Sequence, residues 1–99
     1  MLRVTAPAPT LDEFGILRHG DKWVALTHQE QIVMALLLER FDHVVPRAEL
    51  NAKLWPDRDP AREARTIHVV ICRLRKQLVP LGLAVATIRT HGFVLHWAT

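Results

Sequence analysis

Arg65, Arg73, Arg75 and Lys76 fall within the fifteen residues ARTIHVVICRLRKQL, Ala64 to Leu78, interleaved with Ile67, Ile71, Leu74 and Leu78. Guanidinium and ammonium groups at this density do one kind of chemistry well: they bind anions. Arginine offers two parallel hydrogen bonds to a phosphate or a guanine edge, and lysine offers a point charge. What the groups can reach depends on how the chain holds them. At 100° per residue, Ala64, Ile67, Ile71, Leu74 and Leu78 gather within roughly 80° of a helical wheel, the width of a core-facing stripe. The opposite face carries Arg62, Arg65, Thr66, Val69, Cys72, Arg73 and Lys76, with His68 and Arg75 on its flanks. Glu63 is the one acid between Arg62 and Leu78, so local pairing does not cancel the positive field. Val69 lies among the cations, where an apolar side chain suits a thymine methyl. A merely solvated basic face is the ordinary alternative.

Other chemistries find less support. His19, His28, His43, His68, His91 and His96 include no i, i+4 pair on one helix and have no second cysteine nearby, so no zinc motif can be written and no metal is expected. Cys72 is the single cysteine, which excludes an internal disulfide framework. Its neighbours supply no base for a thiolate nucleophile, and the chain has neither a Gly-rich phosphate loop nor GxSxG. Neither an enzyme nor a bound cofactor is expected. Trp23, Trp55 and Trp97 belong to three separate segments and are expected to pack in the core or at its edge, not to form a stacking platform for single-stranded bases.

The 99 residues, 49% apolar and 23% charged, make one domain with a single core. Their net charge of +3 is unevenly placed. Residues 1–60 carry seven Lys/Arg against nine Asp/Glu, whereas residues 61–99 carry six Lys/Arg and Glu63 alone. Such asymmetry points to a polyanionic partner. The longest apolar run, in IVMALLL, is far short of a membrane span, and MLRVTAPAPT lacks the apolar stretch of a signal peptide. A cytoplasmic protein with no membrane partner is expected.

The elements that position the basic segment can also be read. Thr27, three residues before Glu30, forms a capping box, and a helix with Ile32, Val33, Leu36 and Leu37 on its buried stripe should run to about Arg40. Pro46 stands at or next to the first turn of a second helix, with Leu50 and Leu54 one turn apart and Pro56 as its stop. Pro80 and Gly82 end the third. FGILRHGDKWVAL reads as a hairpin about HGD, and LAVATIR and FVLHW as a second about THG, anchored by Phe93 after Gly92. LRVTA is a candidate strand, and TAPAPT is an irregular lead-in. The boundaries that follow are a lead-in over residues 1–11 and a folded domain over 12–99.

In order and separation, LTHQEQIVMALLL, VVPRAELNAKLW, RTIHVVICRLRKQL and ATIRTHGFVL resemble the OmpR/PhoB-type winged-helix effector domain of bacterial response regulators. That family shows a Leu-Thr-x-x-Glu opening to its first helix and an Arg-x-x-Leu and a Trp in its second. Its third helix runs Arg-Thr-Val-x-x-x-Ile-x-x-Leu-Arg-x-x-Leu, and its wing Thr-Val-Arg-Gly-x-Gly-Tyr. The resemblance covers about residues 14–97. It implies an α+β winged helix-turn-helix with an N-terminal antiparallel β-sheet, three helices and a C-terminal β-hairpin wing. It further implies a sequence-specific, double-stranded DNA-binding transcriptional regulator, with the third helix in the major groove and the wing in the minor groove.

On this resemblance Arg65, Arg73 and Arg75 match base- or phosphate-contacting arginines, and Thr66 suits a phosphate hydrogen bond near the helix start. Arg89 matches the minor-groove arginine of the wing, with Thr90 and His91 beside it. Dimeric occupation of DNA and residence at the bacterial nucleoid follow from the family. Contact with RNA polymerase through PDRDPAREA, offering Asp57, Asp59 and Glu63, stays open. Thr90 replaces the family's usual Gly and Phe93 its Tyr, so neither the family's turn geometry nor its hydroxyl contact carries over from the resemblance alone. His68, Val70 and Cys72 also depart from the family pattern, at positions expected to set target preference. The rival reading is a winged-helix module whose basic face binds an acidic protein. An exposed apolar surface beyond Val69 would favour it, and none is legible in the sequence.

Overall fold

The computed structural model describes residues 8–56 and 60–98, with side chains for all of these except residues 60–66. Strands β1 (Thr10–Leu11), β2 (Ile16–His19) and β3 (Lys22–Ala25) precede α1 (His28–Glu39). Then come β4 (Val45–Pro46), α2 (Arg47–Leu54), α3 (Pro60–Leu78), a 3-10 turn (Val79–Leu81), β5 (Leu83–Ile88) and β6 (Gly92–Trp97). Two antiparallel three-stranded sheets result, in the orders β1-β2-β3 and β4-β6-β5. This is the expected α+β winged helix-turn-helix.

Local chemistry explains the path. Asp12 Oδ1 accepts from the amides of Phe14 and Ile16 at 2.9 and 3.0 Å, and Oδ2 accepts from Arg18 at 2.8 Å. This closes the turn into β2. Helix α1 opens on the expected capping box: Thr27 Oγ1 accepts from the Glu30 amide, and the Glu30 carboxylate accepts from the Thr27 amide at 3.0 Å. Those reciprocal bonds satisfy backbone donors that a helix start otherwise leaves bare. Val33, Met34, Leu36 and Leu37 are buried along α1, and Ile32 only partly. Arg40, just past α1, makes a two-pronged bond to Glu49 in the first turn of α2, at 2.7 and 2.5 Å.

Helix α2 buries Leu50 and Leu54 and ends at Trp55, where the following Pro56 disfavours helical backbone. Helix α3 starts at Pro60, ahead of the stretch from which it was read, as suits proline in a first turn. Its inward residues Ile67, Val70, Ile71, Leu74 and Leu78 join Leu83, Val85, Phe93 and Leu95 of the hairpin in one core.

Gly92 is dictated by close approach. A Cβ there would lie 2.0 Å from the carbonyl oxygen of Val45, because β4 crosses directly against β6 at the Pro46–Gly92 pair. Phe93, next in line, is buried and anchors the wing as expected.

One expectation needs adjustment. Trp55 and Trp97 pack against the core, but Trp23 is 63% exposed, since alternation along β3 turns Val24 inward and Trp23 out. Thr10–Leu11 of the lead-in pairs with β2. The LRVTA candidate strand lies outside the described residues.

Candidate nucleic-acid interface

Because α3 buries the Ile67–Leu78 stripe, its other side is fixed in direction. His68, Val69, Cys72, Arg73, Arg75 and Lys76 are all exposed, and Val69 keeps 43% of its surface. Arg62, Arg65 and Thr66 lie in the first turns of α3, but their side chains are outside the described set, as are Asp57, Asp59 and the side chain of Glu63. Val70 is a correction. It is 1% exposed, so it cannot help set a target preference. Helix α3 packs against α1, α2 and β5 together, which demands a broader apolar arc than one stripe.

The exposed residues of α3 are not equivalent. Arg73 and Lys76 project without a partner among the described residues, and neither of the two described ion pairs, Arg18–Asp12 and Arg40–Glu49, involves them. Arg75 is tied down. Its Nε donates to the Val85 carbonyl at 3.0 Å and its Nη2 to Thr87 Oγ1 at 2.7 Å, both on β5. Two of its five N–H donors are thus committed within the protein. His68 stands edge-on to Phe93, with ring centroids 6.2 Å apart.

At the wing tip, Arg89, Thr90 and His91 are exposed. The His91 amide donates to the Ile88 carbonyl at 2.9 Å, and Thr90 has φ +63° while Arg89 does not enter the positive-φ region. This is the pattern of a type II turn, whose third position favours glycine. Thr90 therefore keeps the turn that the family makes with glycine, at the cost of a left-handed, β-branched residue. Its hydroxyl donates to the Arg89 carbonyl at 2.5 Å, and His91 Nδ1 donates to the same oxygen at 2.9 Å. Both side chains spend polar atoms on the turn itself, and the Arg89 guanidinium has no hydrogen-bond partner among the described residues.

One basic residue escaped the sequence reading. Arg47, at the start of α2, donates its backbone amide to the His91 carbonyl at 3.3 Å and holds its guanidinium 5.6 Å from the Phe93 ring centre. The Arg-x-x-Leu motif contained it, but was read only for its helix. The carboxylates with shifted ionisation lie in other parts of the fold: the Arg18 side chain holds Asp12 below the usual carboxylate range, and Arg40 does the same to Glu49. Among the described residues no cluster of three potential metal ligands occurs.

Residues 20–95 match the family described as transcriptional regulatory protein, C terminal. The chain is 35% identical over 81 residues to the transcriptional regulatory protein YxdJ of Bacillus subtilis, covering 80% of this chain and 35% of that protein. Across the curated relatives it matches, the chain spans between 21% and 36% of their length. Among solved structures, the C-terminal domain of the nisin resistance regulator NsrR, a lantibiotic response regulator, superposes with a TM-score of 0.75. Identity is 33%, and 95% of this chain and 97% of that one are covered. The DNA-binding domain of the response regulator AdeR, solved in complex with an intercistronic region, shares the fold at 21% identity. It has a TM-score of 0.73, with 93% and 96% covered. An exposed basic helix braced on a β-hairpin, in this order of elements and with these relatives, places the chain in the family of C-terminal domains of transcriptional regulatory proteins, of the OmpR/PhoB type.

Proposed function

We propose that this chain is the effector domain of a bacterial transcriptional regulator and binds double-stranded DNA by sequence, with α3 in the major groove and the β5–β6 turn in the minor groove. The observation that carries the reading is the outer face of α3, where Arg73 and Lys76 stand beside the exposed Val69 with no ion-pair partner among the described residues. Unpaired cations supply affinity through phosphates and guanine edges, and Val69 adds an apolar contact suited to a thymine methyl. Arg89, exposed at the wing tip, is the minor-groove contact. Arg62, Arg65 and Thr66 extend the same helix toward the phosphates, and His68 and Cys72 border it. The AdeR domain, captured on an intercistronic region, is the precedent in this fold.

On this reading the domain is a binding module and not an enzyme, its place is the bacterial nucleoid, and it occupies DNA as a dimer. RNA polymerase is a second partner, reached through the segment between α2 and α3. No described helix is long and apolar enough to cross a membrane.

Salt dependence tests the electrostatic part. If one protomer neutralises ~4 to 6 phosphates, log affinity for duplex DNA should fall with log salt at a slope of about −3.6 to −5.4. A flat response contradicts the reading.

A protein-binding alternative gains one observation. Phe14, Trp23 and Val79 are 79%, 63% and 73% exposed, a larger apolar exposure than Val69 offers. They lie in the β1–β2 turn, on β3 and in the 3-10 turn, and none of them is on α3. On this reading the basic face of α3 is left to DNA.

A further inference from the structure

The ladder between β5 and β6 has a readable phase. The Ala98 amide donates to the Gly82 carbonyl at 2.9 Å, and the register pairs Ala84 with His96, Ala86 with Val94 and Ile88 with Gly92. In an antiparallel pair, bonded and non-bonded positions alternate, so Gly82, Ala84, Ala86 and Ile88 bond toward β6 while Val85 and Thr87 turn their backbone groups away from it. β5 is the outer strand of the order β4-β6-β5, so those outward groups have no strand to meet. Arg75 meets one of them and a side chain beside it: Nε reaches the Val85 carbonyl and Nη2 reaches the side-chain hydroxyl of Thr87. A rigid planar fork thereby joins the fifth turn of α3 to the middle of the strand that leads to the wing tip.

We propose that Arg75 is a positioning residue, a strut that fixes the wing at a set angle to α3 so that the helix and Arg89 engage adjacent grooves together. The inference rests on the DNA-binding reading for its consequence, but not for its geometry. Lysine could not replace the strut, since a single ammonium on a flexible stem cannot hold both acceptors in one plane. Thr87 is the second half of the device, because its hydroxyl takes one of the two bonds while contributing no charge.

The test uses the chain with R75K, R75Q and T87V. Amide hydrogen exchange on the free protein reads the strut without DNA. R75Q should speed exchange across β5 and β6 by tenfold or more while α1 is unchanged, T87V by a few-fold, and R75K by an amount closer to R75Q than to wild type. Affinity and footprints on a duplex selected by the wild-type chain read the consequence. R75Q and R75K should each lose about tenfold or more in affinity and lose minor-groove protection, yet keep the major-groove base preference. T87V should lower affinity a few-fold with the salt slope unchanged.

Unchanged hydrogen exchange in both R75Q and T87V would overturn the proposal. So would an R75Q defect that R75K rescues, with T87V binding as wild type, because Arg75 would then act as a plain phosphate contact. If the wild-type chain holds no duplex, the DNA reading fails while the exchange data still decide whether the strut exists.

Discussion

The outer face of α3 and the tip of the wing both present arginine to the same proposed partner, but they hold it in opposite ways. On α3 the backbone does the orienting. Once Ile67, Ile71, Leu74 and Leu78 are buried, the directions of Val69, Arg73 and Lys76 follow from helical geometry, and the two cations have no ion-pair partner among the described residues. At the wing a backbone bond from the His91 amide to the Ile88 carbonyl closes a turn that places Thr90 at φ +63°, and Thr90 and His91 add side-chain bonds to the Arg89 carbonyl. A helix offers contact residues at little local cost. A turn offers one, Arg89, through a strained neighbour and a glycine that allows no substitute.

Breaking the wing while sparing the helix should give the largest effect. Gly92→Ala would drive a Cβ into the Val45 carbonyl, against backbone that cannot give way cheaply. We expect a loss of about 3 kcal/mol of stability. A domain of this size would then melt ~10 to 20 °C lower, as thermal denaturation would show. A melting point within a few degrees of wild type would mean that β4 and β6 can separate at no cost.

Removing a helix contact should do the reverse, leaving the fold intact and weakening binding. Arg73→Ala should cost ~1 to 3 kcal/mol of affinity for a selected duplex and relax preference at one base position. Its melting curve should overlay that of the wild type. A drop in stability comparable with the drop in affinity would show that Arg73 supports the fold.

Relieving the turn sharpens the contrast in the other direction. Thr90→Gly removes a left-handed β-branched residue and should raise stability by about 1 kcal/mol, the balance between released strain and glycine's added chain entropy. The corresponding change at Arg73 should gain nothing. Chemical denaturation of both variants would settle the sign.

The smallest effect lies outside both regions. Asp12 and Glu49 have carboxyls held below their ordinary range by Arg18 and Arg40. Groups depressed in the folded state contribute stability above their unfolded values, about pH 4, and lose it as pH falls through the lower folded ones. Melting temperature should therefore decline below about pH 4, and Asp12→Asn should make that decline slightly shallower. Because both pairs are solvent-exposed, salt should erase much of the difference.

The same contrast explains what could be read from residues alone. Thr27 and Glu30 specify the start of α1 within four residues of chain, and the periodicity of α3 names its exposed face, so both were legible. Val70 was misplaced because a single stripe describes packing on one neighbour, and α3 packs on α1, α2 and β5 at once. β4 is two residues long and is defined only by pairing with Phe93 and Gly92 far along the chain, a contact with no local signature. Arg75 was legible as a cation on the flank of the helix, but its bonds to Val85 and Thr87 depend on the phase of a ladder that no pattern of residue types reveals. Trp23 was assigned to packing by its size, whereas the alternation of β3 decides its direction.

Sequence-specific DNA binding is the centre of this account, and selection by the purified domain from a randomised duplex pool at moderate salt tests it most directly. We expect enrichment of a short half-site, repeated at one-turn spacing if two protomers bind side by side. A pool recovered with no enriched sequence, or not retained at all, would contradict it.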